Sequence, residues 1–184
     1  MQLMITSAIR AQDLSYEEAQ VDVVFIKPCP QVKVAEEVLG PFNEGVETKL
    51  PLWLAMSLAN QGIVRLRQDS SRSLVELSKS AWREERSDTL LPVDPDFYSK
   101  LRSYLKELKL KVEKSPSQQA LNEQRQAEIK ANDLVNCRLQ KIVKMALDKN
   151  PPKNLVDNMT TEEKVFFNSL RELIEKWRGL ILGI

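Results

Sequence analysis

Residues 117–150 contain neither proline nor glycine, and Pro116 closes this stretch on one side as Pro151-Pro152 closes it on the other. Proline removes a backbone donor and clashes with the preceding turn, so both boundaries read as helix stops and the interior as one uninterrupted helix. Ser115 stands where a cap would, Pro116 where a first helical residue would, and Gln118 three residues on, so the spacing predicts a helix from there to about Asp148. At 1.5 Å per residue some thirty residues extend roughly 45 Å, longer than a small domain is wide, so one end should project or meet another chain. The first half of this helix offers only Leu121 and Ile129 as large apolar residues, and it is expected to be exposed or frayed.

Three further helices are signposted around it. Ser73 and Glu76 have capping-box spacing ahead of a stripe of Leu74, Leu77 and Ala81. Asp94 followed by Pro95 reads as a cap and first helical residue, after which Phe97, Leu101, Tyr104, Leu105 and Leu108 line one face. Thr160 and Glu163 form another capping box, and Phe166, Leu170, Leu173, Ile174, Trp177 and Ile181 recur at helical spacing towards the C-terminus.

The first 68 residues have a different period. Val21 to Ile26 is a β-branched and aromatic run stopped by Pro28 and Pro30, Gln31 to Val34 is a second short extended piece, and Val46 to Lys49 alternates after Gly45. Pro51 reads as the first residue of a short helix carrying Leu52, Met56 and Ala59, ended by Gly62, and Ile63 to Leu66 rejoins the sheet. Arg67 to Arg72 is polar and linker-like. The predicted class is therefore α+β, mostly α: a small β-rich domain with one short helix over 1–68, then an α-helical bundle of about four helices over 73–184. Phe25, Leu52, Trp53 and Met56 are the expected core of the small domain.

Composition removes most enzymatic classes. There is no histidine, which excludes Ser-His-Asp and Cys-His nucleophile arrangements and any zinc site that uses imidazole. Cys29 and Cys137 stand alone, so neither a disulfide framework nor a thiolate metal site is indicated, and a reducing, intracellular compartment is expected. The five glycines form no phosphate-binding loop, so no cofactor is expected. No stretch reaches the roughly 18 apolar residues of a membrane span, and the first residues lack the basic and apolar regions of an export signal; a cytoplasmic protein with no membrane partner is expected. Lys and Arg number 27 against 26 Asp and Glu, so no global field draws in nucleic acid.

The remaining candidates are local. Asp94 and Asp96 are a carboxylate pair that could hold a cation, but a helix start accounts for both. The doublets Glu17-Glu18, Glu36-Glu37, Glu84-Glu85 and Glu162-Glu163 read as solvated helix faces. Arg125, Lys130, Arg138, Lys141 and Lys144 on the long helix are candidates for a weak, secondary contact with DNA phosphates. Phe97 and Tyr98 are adjacent, as are Phe166 and Phe167, so each pair points two ways. With Leu101, Tyr104, Leu108, Leu170 and Trp177, they are the expected helical core and subunit interface.

Three stretches carry a family resemblance. The first runs from Ile26-Lys27-Pro28 through Gly40-Pro41-Phe42 to Leu50-Pro51-Leu52-Trp53-Leu54-Ala55 and Gly62-Ile63-Val64. The second is Leu77-Ser78-Lys79 to Arg86, and the third Leu91-Pro92-Val93-Asp94-Pro95-Asp96-Phe97-Tyr98. In this order they resemble the GINS family of DNA-replication proteins, specifically the archaeal subunit in which the β domain precedes the α domain; a eukaryotic subunit of that order would be nuclear. The third stretch is two residues longer than the family's Leu-Pro-x-Asp-Phe-Tyr.

The resemblance implies a non-catalytic subunit of a 2:2 heterotetramer with a second GINS subunit type. Such an assembly is a scaffold that links the MCM helicase to a RecJ-like protein. An alternative reading is a helical protein that binds DNA directly through the basic residues of its long helix.

Overall fold

The computed structural model describes residues 2–34, 37–67 and 73–183, and these form two units: residues 13–67, and residues 2–12 with 73–183. The chain is α+β and mostly α, and no helix among the described residues is long and apolar enough to cross a membrane.

In the smaller unit the central strand is β1 (Gln20–Phe25), paired antiparallel with β4 (Glu47–Pro51) on one side and β5 (Val64–Leu66) on the other. Between them β2 (Val32–Val34) and β3 (Glu37–Leu39) make a separate two-stranded ladder, the second of which the sequence reading did not separate. Side chains alternate along a strand, so Val23 and Phe25 enter the core while Asp22 stays outside. Helix α2 (Leu52–Asn60) lays Leu54, Ala55 and Leu58 into the same cluster, where Phe25 stacks on Phe42 with ring centroids 4.4 Å apart.

Two expectations for this unit's core are corrected. Leu52 is buried and Met56 half-buried, but Trp53 is 44% exposed, because at 100° per residue it falls on the side of α2 opposite the buried Leu54, Ala55 and Leu58. Pro51 closes β4 and stands as the N-cap rather than the first helical residue.

The exit from α2 explains Gly62. Its N–H donates to the carbonyl of Ala59 (2.9 Å) and the Ile63 N–H to that of Leu58 (3.0 Å), with Gly62 at φ +67°. That pair of bonds is the Schellman arrangement, which needs a left-handed residue and brings Ile63 onto Leu58.

The larger unit is strung along α5 (Gln118–Leu147), with α3 (Leu74–Arg86), α4 (Phe97–Lys114), the short α6 (Lys153–Asp157) and α7 (Thr161–Leu182) around it. The N-terminal α1 (Gln2–Glu17) has no counterpart in the sequence reading: it lacks a cap signature and its amphipathic stripe is weak. Ser73 and Thr160 cap their helices at the expected places, Thr160 with a reciprocal capping box to Glu163. Two other starts fall two residues later than expected. Ser115 precedes proline and leaves the helical region, ending α4 instead, and Ser117 caps α5 by accepting the Ala120 N–H (3.1 Å). Asp94 accepts the Asp96 N–H (2.9 Å) in a turn, so α4 begins at Phe97.

The first half of α5 is ordered by small residues rather than large ones. Ala127, Ala131 and Leu134 pack with Leu77, Ala81, Tyr104 and Leu108, while further along Ile142, Met145 and Ala146 join Leu90, Met159 and Phe167 in a second cluster. The linker expected over 67–72 lies, apart from Arg67, outside the described residues, as does Glu36.

A Gly62→Ala substitution tests the turn after α2. The added Cβ meets nothing closer than the Lys27 Nζ at 3.9 Å, so the cost is backbone strain alone. Stability should fall by about 1–2 kcal/mol, read from chemical denaturation, and an unchanged midpoint would contradict the strain argument.

Candidate subunit interface

Arg138 lies on α5 between Leu134 and Ile142, in phase with the apolar stripe, and is completely buried. A guanidinium presents five N–H donors, and each has an acceptor here. Nε donates to Glu163 Oε1 (2.7 Å) and Nη2 to Glu163 Oε2 (2.8 Å), a bidentate pair; Nη2 also reaches the Asn158 carbonyl (3.4 Å). Nη1 donates to Glu84 Oε2 (2.9 Å) and to the Leu91 carbonyl (2.8 Å).

The shell around this fork is also bonded. Tyr98 donates its hydroxyl to Glu163 Oε1 (2.6 Å), and Glu163 Oε2 accepts the Thr160 N–H (3.0 Å), so one carboxylate serves both the ion pair and the cap of α7. Lys141 donates to Glu84 Oε1 (2.6 Å) and to the Thr89 carbonyl (3.0 Å).

The electrostatics follow from this geometry. Burial pushes the Tyr98 hydroxyl pKa well up, and the Glu163 charge adds to the shift. Burial alone would lower the Arg138 pKa and raise that of Glu163. Their mutual hydrogen bonds and attraction outweigh it, leaving the guanidinium raised and the carboxyl below its ordinary value.

Several expectations are corrected at this cluster. Glu84, Glu162 and Glu163 are buried rather than solvated, because they fall on core-facing positions and meet cations. Arg138 and Lys141 are withdrawn from any DNA-facing surface by the same ion pairs. Arg125, Lys130 and Lys144 remain exposed. Five- and fourteen-residue separations at 100° per residue put Arg125 on a different face from Lys130 and Lys144, so the three form no single stripe. Asp94 is held by Lys100 (2.8 Å) and Asp96 accepts from Gln12 Nε2 (3.0 Å), so protein donors occupy both carboxylates of the candidate metal pair.

The aromatic pairs resolve within the chain. Phe97 and Leu101 border the first cluster, Tyr104 and Leu108 lie inside it, and Tyr98 turns to Glu163 while meeting Phe97 edge-on at 5.2 Å. Phe167 is buried in the second cluster, with Phe166 and Leu170 half-buried at its border.

Trp177 is the exception: it is 61% exposed and belongs to no core. Phe167, Leu170, Ile174, Trp177 and Ile181 form one face of α7 at alternating three- and four-residue spacing, and its inner part packs on α5. Arg178 Nη2 donates to the carbonyl of Leu147, the last residue of α5, so that support ends while α7 still runs on. Leu173, Trp177, Leu180 and Ile181 are left 51%, 61%, 75% and 65% exposed. Four large apolar side chains within three turns of one helix thus face solvent as an apolar patch.

The class the fold defines is a helical bundle with a buried ionic centre and an exposed apolar stretch on its last helix. Residues 73–182 match the family model described as Sld5, the GINS complex protein helical bundle domain, and the chain belongs to that family. It is 33% identical over 67 residues to the human DNA replication complex GINS protein PSF2, covering 36% of each chain. It is 28% identical over 89 residues to the Xenopus laevis protein of the same name, covering 48% of each. The chain thus aligns with less than half the length of these curated relatives.

Glu163 offers a direct test of the ionic centre. Its pKa is lower in the folded chain than the ordinary 4.5, so its stabilisation is complete above the unfolded value and is lost as pH falls through the folded one. Glu163→Gln should cost about 3–5 kcal/mol at neutral pH by leaving part of the Arg138 charge unpaired. It should also flatten the acid limb of the urea midpoint followed between pH 7 and 3. Parallel limbs for parent and variant would show that Glu163 is not responsible.

Proposed function

We propose that this chain is a non-catalytic scaffold subunit of a GINS replication complex, assembling through its helical unit with a second GINS subunit type as a 2:2 heterotetramer. The assembly then links the MCM helicase to a RecJ-like protein, with the small β-rich domain and the helical domain acting as separate presenting and assembling parts. The observation that carries this reading is the apolar face of α7 beyond Ile174, on a helical unit matched by the GINS bundle model. Burying a helix stripe against a partner helix needs no catalytic group; affinity comes from removing apolar surface from water.

Light scattering of the purified chain, alone and mixed with a GINS subunit of the α-then-β type from the same source, tests the assembly. A defined four-chain particle is expected, and a monomer indifferent to the partner would overturn the reading. Retention of MCM helicase and the RecJ-like protein by the four-chain particle tests the scaffold role.

The face itself is tested by Trp177→Ala. Because the side chain is mostly exposed, folding stability should change by no more than about 0.5 kcal/mol, while the four-chain particle should dissociate at least tenfold more readily. A stably folded variant whose four-chain particle dissociates no more readily than the parent's would overturn the assignment of Trp177 to the interface.

A further inference from the structure

The packing along α5 has a property that its apolar residues alone do not control. The face turned towards α3 and α4 reads Ala120, Ala127, Ala131 and Leu134, and the side chains it meets include Leu77 and Ala81. Sliding α5 by one turn, about 5.4 Å, would bring Ala127 to the place of Ala131, and by two turns Ala120 to the place of Ala127. Small, similar side chains at repeating positions give non-directional contacts that change little on such a slip. The second cluster includes Met145 and Met159, whose unbranched side chains adapt to shifted neighbours. These adaptable contacts constrain the axial setting of α5 less sharply than a directional polar partner does.

The bonds of Arg138 are directional. Its donors satisfy Glu84 on α3, Glu163 on α7, and the carbonyls of Leu91 and Asn158 in the connecting segments. Lys141 one turn on repeats the hold on Glu84, and Asn158 Nδ2 ties back to the Leu90 carbonyl (2.9 Å). Arg138 and Lys141 balance Glu84 and Glu163 in charge. A one-turn slip would carry Arg138 to the place of Lys141, beside Glu84 but away from Glu163 and from the Leu91 and Asn158 carbonyls, so the bidentate pair and the carbonyl bonds would be lost and the Glu163 carboxylate left buried without its cation.

We propose that the Arg138 cluster is a register lock, selecting a single setting of α5 against α3 and α7 while contributing little net stability. The lock is a property of the folded helical unit and does not depend on what α7 binds. Buried polar groups can specify register in this way in helical assemblies, whereas replacing a complete buried ion cluster by neutral groups of similar size is often close to neutral for stability.

The test compares Arg138→Met with the triple variant Glu84→Gln, Arg138→Met, Glu163→Gln in the full chain. The amide placed at position 163 can accept from the Thr160 N–H through its oxygen and donate to the Tyr98 hydroxyl through its nitrogen, so the triple variant strands no buried carboxylate, and the partly exposed Lys141 keeps the Glu84 and Thr89 carbonyls. Register is read from carbon-13-labelled methionine methyl resonances: Met145 and Met159 report on the locked region, and Met56 in the other unit is the internal reference.

The single variant should lose roughly 10 °C or more of thermal midpoint through the stranded Glu163 carboxylate, Glu84 keeping only Lys141, and the triple variant should recover to within about 5 °C of the parent. In the triple variant the Met145 and Met159 signals should split or broaden while Met56 stays a single line. Two results would overturn the proposal. A triple variant as unstable as the single one, or unfolded, would make the cluster a stability element. A stable triple variant with single, sharp Met145 and Met159 lines would show that apolar packing sets the register unaided.

Discussion

A guanidinium with no exposed surface is the constraint around which the helical unit is arranged. Removing such an ion from water is expensive, and the cost is met only where geometry is good and every donor is used. That requirement fixes several things at once. Glu84 must face inward from α3, Glu163 must sit at the third position of α7, and the carbonyls of Leu91 and Asn158 must turn towards the same point. The segments on either side of α5 are therefore held by the same side chain that divides its two apolar clusters. Glu163 links local and tertiary structure most directly, because the capping box that starts α7 also positions the carboxylate for Arg138.

The sequence contained the signal for this centre in a form that a count of charges conceals. Leu134, Arg138 and Ile142 share one helical face, as do Leu77, Ala81 and Glu84, and Glu163 leads Phe167 and Leu170. A charge in phase with an apolar stripe is in the core or at its edge, and such charges survive burial by pairing. Read as doublets, Glu84-Glu85 and Glu162-Glu163 looked like solvent faces; read by phase, Glu84 and Glu163 belong inside. The helix types, the broad class and the caps at Ser73 and Thr160 were legible because each rests on local chemistry within four residues. Partners such as Glu84 and Arg138, 54 positions apart, have no local signature.

Aromatic residues misled in the opposite sense. Trp53 and Trp177 are large and apolar, which raises the expectation of burial, yet both are substantially exposed. For Trp53 phase decides against size, since Leu54, Ala55 and Leu58 already fill the inner face of α2. For Trp177 phase favours burial and length decides against it: its face is continuous with the core, but α5 has ended. That distinction depends on where a neighbouring helix stops, a tertiary quantity that no spacing rule contains.

The magnitude of the exposed α7 face limits what it can do alone. Fully burying a large apolar side chain contributes about 1.5–3 kcal/mol, so Leu173, Trp177, Leu180 and Ile181, each half or more exposed, hold roughly 4–8 kcal/mol between them. Association costs on the order of 4–15 kcal/mol in lost motion before any affinity appears. As the proposed partner surface the face would need further area, and the exposed Leu139 and Leu147 of α5 are candidates to extend it. An anchor on a helix free to slide would add the cost of fixing that helix to the cost of binding. In the proposed assembly, holding α7 to α5 through Arg138 would remove that term before a partner arrives, so the buried ions would act on affinity without touching the interface.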